Sequence, residues 1–173
     1  DYVGVYVLTE KIKRNEGRVD IDKLNSSDDS EPDITGGYII RHDKNRTEDS
    51  FNTWAGRWFY LEPSHDEITQ AQKDYIKNYV ETFEGVLQSN NYADPVDGYS
   101  KYIDVDSFIV NDFCSEITKE VDTYVYSTYV TKDRNGKLKM SPQWDFNISM
   151  GNNDYRALNL PTQHHTSGWN RNP

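Results

Sequence analysis

A chain of 173 residues that is 35% hydrophobic and 13% aromatic can bury one real core, with thirteen tyrosines supplying much of the load. A formal charge of −10 and a pI near 4.8 exclude nucleic acid as a general partner, because such a surface repels phosphate backbones. The mean hydropathy of −0.92, without an apolar run near the roughly 20 residues of a membrane helix, excludes a membrane span, and a single cysteine, Cys114, excludes an intramolecular disulfide.

Residues 3–8 are β-branched and aromatic and read as a buried strand, which Glu10, Lys11, Lys13 and Arg14 leave as a charged exit. A chain that starts inside an element, without Met or signal peptide, reads as a fragment of something longer. Residues 25–36 are polar and turn-rich and predict an exposed loop, and 37–41 predict a short strand. Thr53 and Trp54, then residues 58–61, follow as strands or aromatic-rich connections. Their rings read as core sooner than as a sugar-binding platform.

A helix is predicted over residues 65–88, with Ser64 and Glu67 as its capping box behind Pro63. Ile68, Ile76, Tyr79, Val80, Phe83, Val86 and Leu87 give it one apolar face. Asp104 predicts the cap of a second helix reaching about Glu120, with Phe108, Ile109, Phe113, Ile117 and Val121 inward, Cys114 a buried thiol, and Glu116 and Glu120 as surface charges, either of which could instead pair with a basic group near the site. Residues 124–131 read as a strand, Asn135-Gly136 as a two-residue hairpin turn, and 137–140 as the returning strand. Beyond Asn147 the chain turns polar. His164 and His165, being adjacent, point to different sides and read as tail residues. Asp145, Asn147 and Ser149 have an EF-hand's spacing, but Gly151 is one place late and Arg156 stands where the closing Glu belongs.

The hairpin has a geometric consequence. A turn at Asn135-Gly136 pairs Arg134 with Lys137 and carries Asp145 opposite Tyr126, with Asp122 just beyond. Two carboxylates then meet at the open end of one ribbon. One can accept a proton from an attacking hydroxyl while the other holds a divalent metal on nucleotide phosphates. Protein kinases use the same order of parts: a catalytic-loop Asp, a metal-binding Asn five residues on, a hairpin, and the Asp of D-F-G. Asp122 and Ser127 hold the first two places, and Asp145-Phe146-Asn147 the last.

Residues 120–152, with Pro142-Gln-Trp-Asp145 as their most specific block, closely resemble the spore-coat CotH kinase family. So do Gly4 to Glu10 and Tyr102-Ile103-Asp104. The resemblance covers nearly the whole chain. It implies an α+β, protein-kinase-like fold, mainly the helical C-terminal lobe with a catalytic β-hairpin and without the N-terminal lobe. The expected organisation is a single domain over 1–173: a hinge strand and aromatic-rich β/loop region (1–63), a helical region (64–121), the catalytic hairpin and metal loop (122–150) and an irregular tail (151–173).

The family implies a secreted, cell-surface or spore-associated bacterial enzyme that transfers phosphate from ATP to Ser or Thr of a protein substrate, assisted by Mg²⁺ or Mn²⁺. Carried over, Asp122 is the catalytic acid/base or a metal contact, Asp145 a metal ligand, and Thr9 and Glu10 the hinge that meets adenine. Ser127 stands where kinases place Asn, so a second metal would meet a hydroxyl there. Asn147 replaces the D-F-G glycine. The family's phosphate-contacting Lys would precede Asp1, so this stretch alone is expected to be catalytically poor. The alternative reading is a non-catalytic carbohydrate- or protein-binding module that kept the fold.

Overall fold

The computed structural model describes residues 3–6, 8, 10–44, 50–62, 67–123, 126–150 and 152. Among the described residues it is an α+β arrangement: five antiparallel strands, numbered in chain order, lie in the order β2-β3-β1-β4-β5 beside two α-helices. The strands are β1 (Tyr38–His42), β2 (Ser50–Asn52), β3 (Trp58–Glu62), β4 (Thr128–Lys132) and β5 (Leu138–Met140); the helices are α1 (Gln70–Gln88) and α2 (Val105–Thr118). Among the described residues no helix is long and apolar enough to cross a membrane.

Strand alternation divides the core in two. Tyr38 and Ile40 of β1 enter a cluster with Phe51, Leu61, Ile76, Val80, Ile103 and Leu138. Ile39 faces the other way, joining Tyr129 and Val19, against which Ile12, Ile21 and Trp144 pack. The 3–8 segment departs from the expected buried strand: Val3, Val5, Tyr6 and Leu8 are exposed, and no strand forms over the described residues there. A strand requires a neighbour to satisfy its backbone, and none of the five lies beside it.

Helix α1 starts later than the sequence suggests. Its capping box is Thr69 with Gln72, and Ser64 lies outside the described residues. Tertiary contacts select this start: Gln72 is fully buried, and its amide donates to Asn25 O at 2.7 Å and Asp28 O at 3.2 Å. Helix α2 begins as expected, the Asp104 carboxylate accepting from Ser107 N at 3.2 Å. Its orientation is a correction. Ile109, Phe113 and Ile117 are exposed, whereas Asn111, Ser115 and Glu116 are buried. Hydrogen bonds to β5 (Asp104 N to Leu138 O at 2.8 Å, Met140 N to Ser107 Oγ at 3.1 Å) set the helix's rotation regardless of its apolar stripe. Cys114 is accordingly half-buried.

The hairpin register is displaced by one residue from the expected pairing. Val130 pairs with Met140 and Lys132 with Leu138, which puts Asp133 rather than Arg134 opposite Lys137. Asn135 takes the left-handed conformation (φ 53°), and Gly136 N closes the turn on Asp133 O at 3.0 Å. The turn lies against Gly36, where a Cβ would come within 2.0 Å of Arg134 N.

Lys132 is sealed in the core at 1% exposure, donating to Thr35 O with its ammonium 4.5 Å from the Tyr79 ring centroid. Burial pulls its pKa down from 10.5 to about 8. Between those values the unfolded chain holds a proton that the native chain has lost, so stability rises with pH from about 8. The raised Tyr79, at about 12 against an ordinary 10.0, opposes this above pH 10. We therefore expect wild type to gain roughly 2 kcal/mol from pH 8 to 10 relative to Lys132→Met. Parallel urea-denaturation curves across that range would refute the buried-lysine assignment.

Candidate functional site

The site forms where α2 ends. Lys119 adopts the left-handed conformation (φ 55°) and turns the chain inward, so that Glu120, Val121, Asp122 and Thr123 are all buried. Glu120 was expected at the surface and is fully enclosed; Glu116 is buried as well. The Glu120 carboxylate accepts the Asp122 amide at 3.1 Å, fixing the backbone that carries Asp122. Burial pushes the Glu120 carboxyl up; the Asp122 amide opposes this, and the charges of Asp122 and Asp145 reinforce it. Both predicted acids thus act on one buried group.

Asp122 Oδ2 pairs with Lys44 Nζ at 3.2 Å. The Asp122 carboxylate is almost wholly enclosed, whereas the lysine side chain is 57% exposed. Tyr126 N closes on Asp122 O at 2.6 Å. The Tyr126 ring stacks on His42 with centroids 6.1 Å apart and lies 5.0 Å from Lys44 Nζ. His42 is itself held by Trp58 O, 2.6 Å from Nδ1.

Across the open end of the hairpin, Ser127 Oγ donates to Asp145 Oδ2 at 3.4 Å. Asp145 lies beyond the paired strands, which end at Met140, and meets Ser127, where the expected partner was Tyr126. Both residues are left-handed, Ser127 at φ 52° and Asp145 at φ 60°, a conformation uncommon outside glycine and concentrated at functional sites. Trp144, edge-on to Tyr129 at 5.9 Å, anchors the loop and leaves Asp145 exposed. Glu10 is exposed and pairs with Arg18 at 2.6 Å; Thr9 lies outside the described residues, as do His164 and His165.

Among the described residues no group of three or more His, Cys, Asp or Glu side chains is arranged to hold a metal by itself. The donor set present fits a different case. Mg²⁺ and Mn²⁺ take hard oxygens and are commonly held by one or two carboxylates, with phosphate and water completing the shell. Asp145, solvent-exposed beside the Ser127 hydroxyl, offers that chemistry.

Lys44 and Glu120 are the residues that sequence reasoning missed. Lys44 lies among charged residues beyond the predicted strand at 37–41, and its contact is 78 positions away. Glu120 lies just beyond helix α2, whose apolar stripe points outward. Next to the site an apolar cavity of about 630 Å³ opens between the sheet and both helices, lined by Ile40, Phe59, Phe83, Phe108 and Val130, with His42 and Thr123 also in its wall.

A family model described as CotH kinase protein matches residues 1–172. No curated protein and no solved structure matches the chain. With a match over essentially its whole length, the chain belongs to the CotH kinase family.

Proposed function

We propose that this chain carries the catalytic-acid and metal-binding part of an atypical protein kinase that transfers the γ-phosphoryl group of ATP to Ser or Thr of secreted or surface proteins. The carrying observation is that Asp122, its amide held by Glu120 at 3.1 Å, and Asp145, its carboxylate accepting from Ser127 at 3.4 Å, flank the two ends of one hairpin, and the charges of both push the Glu120 carboxyl up. In this reading the acceptor hydroxyl oxygen forms the new bond to phosphorus, its proton passes to Asp122, and the bond to the leaving ADP oxygen breaks. Asp145, with Ser127, would hold Mg²⁺ or Mn²⁺, which supplies charge neutralisation on the phosphates. Glu120 orients Asp122 through its amide. The kinase-like lobe assignment, the Thr9 and Glu10 adenine hinge and the extracellular or spore setting rest on the family likeness.

The 630 Å³ cavity favours a second reading, a non-catalytic module that binds a ligand, because apolar clefts of this size are usual ligand sites. The deciding experiment uses the complete protein: ATP binding by calorimetry with and without Mg²⁺, and transfer of labelled phosphate to a Ser-rich protein. Metal-dependent ATP binding with transfer supports the kinase. Absence of both in intact protein would shift the assignment to the binding module.

A further inference from the structure

An ATP-using site on a chain of net charge −10 meets an electrostatic obstacle. Glu120, Asp122 and Asp145 together repel the polyphosphate they would have to admit, and one divalent ion at Asp145 offsets only part of that charge. The lysine that kinases use for this purpose was expected upstream of Asp1. We infer that Lys44, at the end of β1, is a phosphate-binding residue of this site and contacts the transferring phosphoryl group beside Asp122.

Three observations carry the inference, which rests on the kinase reading for the identity of the natural phosphate. First, position: Lys44 Nζ lies 3.2 Å from Asp122 Oδ2, so a phosphoryl group close enough for its acceptor to lose a proton to Asp122 is within reach of the same ammonium. Second, restraint: His42 and Lys44 stand two apart along the chain, and the Tyr126 ring meets both, stacked on the imidazole at 6.1 Å and 5.0 Å from Nζ. A cation–π contact holds a lysine head without consuming its hydrogen-bond donors. Third, access: Asp122 is enclosed at 8% side-chain exposure while Lys44 keeps 57%, so the ammonium presents its remaining donors to whatever enters. The ammonium is a compact point charge with three donors, suited to a phosphoryl group whose charge is spread over three oxygens.

The test separates this inference from the kinase reading by using two probes on the complete protein. ATP with Mg²⁺ reports on the nucleotide site, and inorganic tripolyphosphate without metal reports on the cation alone. Lys44→Met should weaken tripolyphosphate and ATP binding by roughly tenfold or more, the usual loss for a hydrogen bond to a charged group. Adenosine affinity should stay unchanged, and Lys44→Arg, which keeps a cation beside the enclosed Asp122, should restore most of the tripolyphosphate binding. Should wild type bind ATP and transfer phosphate while Lys44→Met matches it within twofold on both probes, the Lys44 assignment falls and the kinase reading stands. Should wild type neither bind ATP nor transfer phosphate, the kinase reading falls, and tripolyphosphate decides Lys44. Binding lost in Lys44→Met sustains an oxyanion site; no binding by wild type overturns it.

Discussion

Replacing Asp145 by Asn is expected to lower phosphate transfer by the complete protein by roughly 10³-fold or more, with the fold preserved. The substitution removes the charge that would balance a divalent cation and keeps the size and one acceptor oxygen. It also respects the backbone: Asp145 sits at φ 60°, where Asn is among the best-tolerated residues, whereas Ala would add strain to the lost charge. The side chain is exposed, and its one described hydrogen bond, from Ser127 Oγ at 3.4 Å, is long, so little stability depends on it. Melting temperatures within about 2 °C of each other would show the fold intact. Transfer at the wild-type rate by Asp145→Asn would remove that residue from the catalytic machinery.

Asp122→Asn should cost a comparable activity, on the order of 10²- to 10⁴-fold, by a different route. Its carboxylate is buried, its backbone amide is held by Glu120 at 3.1 Å, and its Oδ2 accepts from Lys44 at 3.2 Å. Asn keeps an oxygen for Lys44 but cannot accept a proton from the attacking hydroxyl. Magnesium-dependent ATP binding should therefore stay within a few-fold of wild type while the rate of transfer collapses, a loss in kcat rather than in affinity. A parallel fall in ATP·Mg²⁺ affinity would reassign Asp122 to metal coordination. Unimpaired transfer would leave Asp122 as a buried structural acid.

Much of this site follows from local chemistry alone. The Asp104 cap, the apolar face of α1 that buries Ile76 and Val80, the strand at Tyr38–His42 and the turn around Asn135 are all written in short-range patterns. The order helix, acid, hairpin, acid directs Asp122 and Asp145 toward the open end of one hairpin. The one-residue difference in register does not set the position of Asp145, which lies beyond the paired strands; these end at Met140 just before Pro142, a residue without an amide to donate. The turn itself was misread because Asn135-Gly136 offers two solutions. The left-handed residue can open a two-residue loop or, as here, precede Gly136 in a turn closed on Asp133.

What the sequence by itself determined was each element's internal chemistry: caps, strand alternation, and which residue types recur at helical spacing. What only the tertiary structure decided was the surroundings of each face. Helix α2 carries an apolar stripe whose period is right, yet Ile109, Phe113 and Ile117 face outward, because the hydrogen bonds that Asp104 N donates to Leu138 O and that Ser107 Oγ accepts from Met140 N fix its rotation. The same rotation buries Ser115 and Glu116, and the chain reversal at Lys119 then draws Glu120 inside. Helix α1 starts at Thr69 because Gln72 finds carbonyls in the loop at Asn25 and Asp28. Lys44 reaches Asp122 across 78 positions because β1 pairs with β4, setting His42 opposite Thr128 at the end where the Asp122 segment enters the sheet. Periodicity measures a residue's direction about its own helix or strand axis. The partner that waits in that direction is set by hydrogen bonds and contacts between segments far apart in the chain, and these no local pattern encodes.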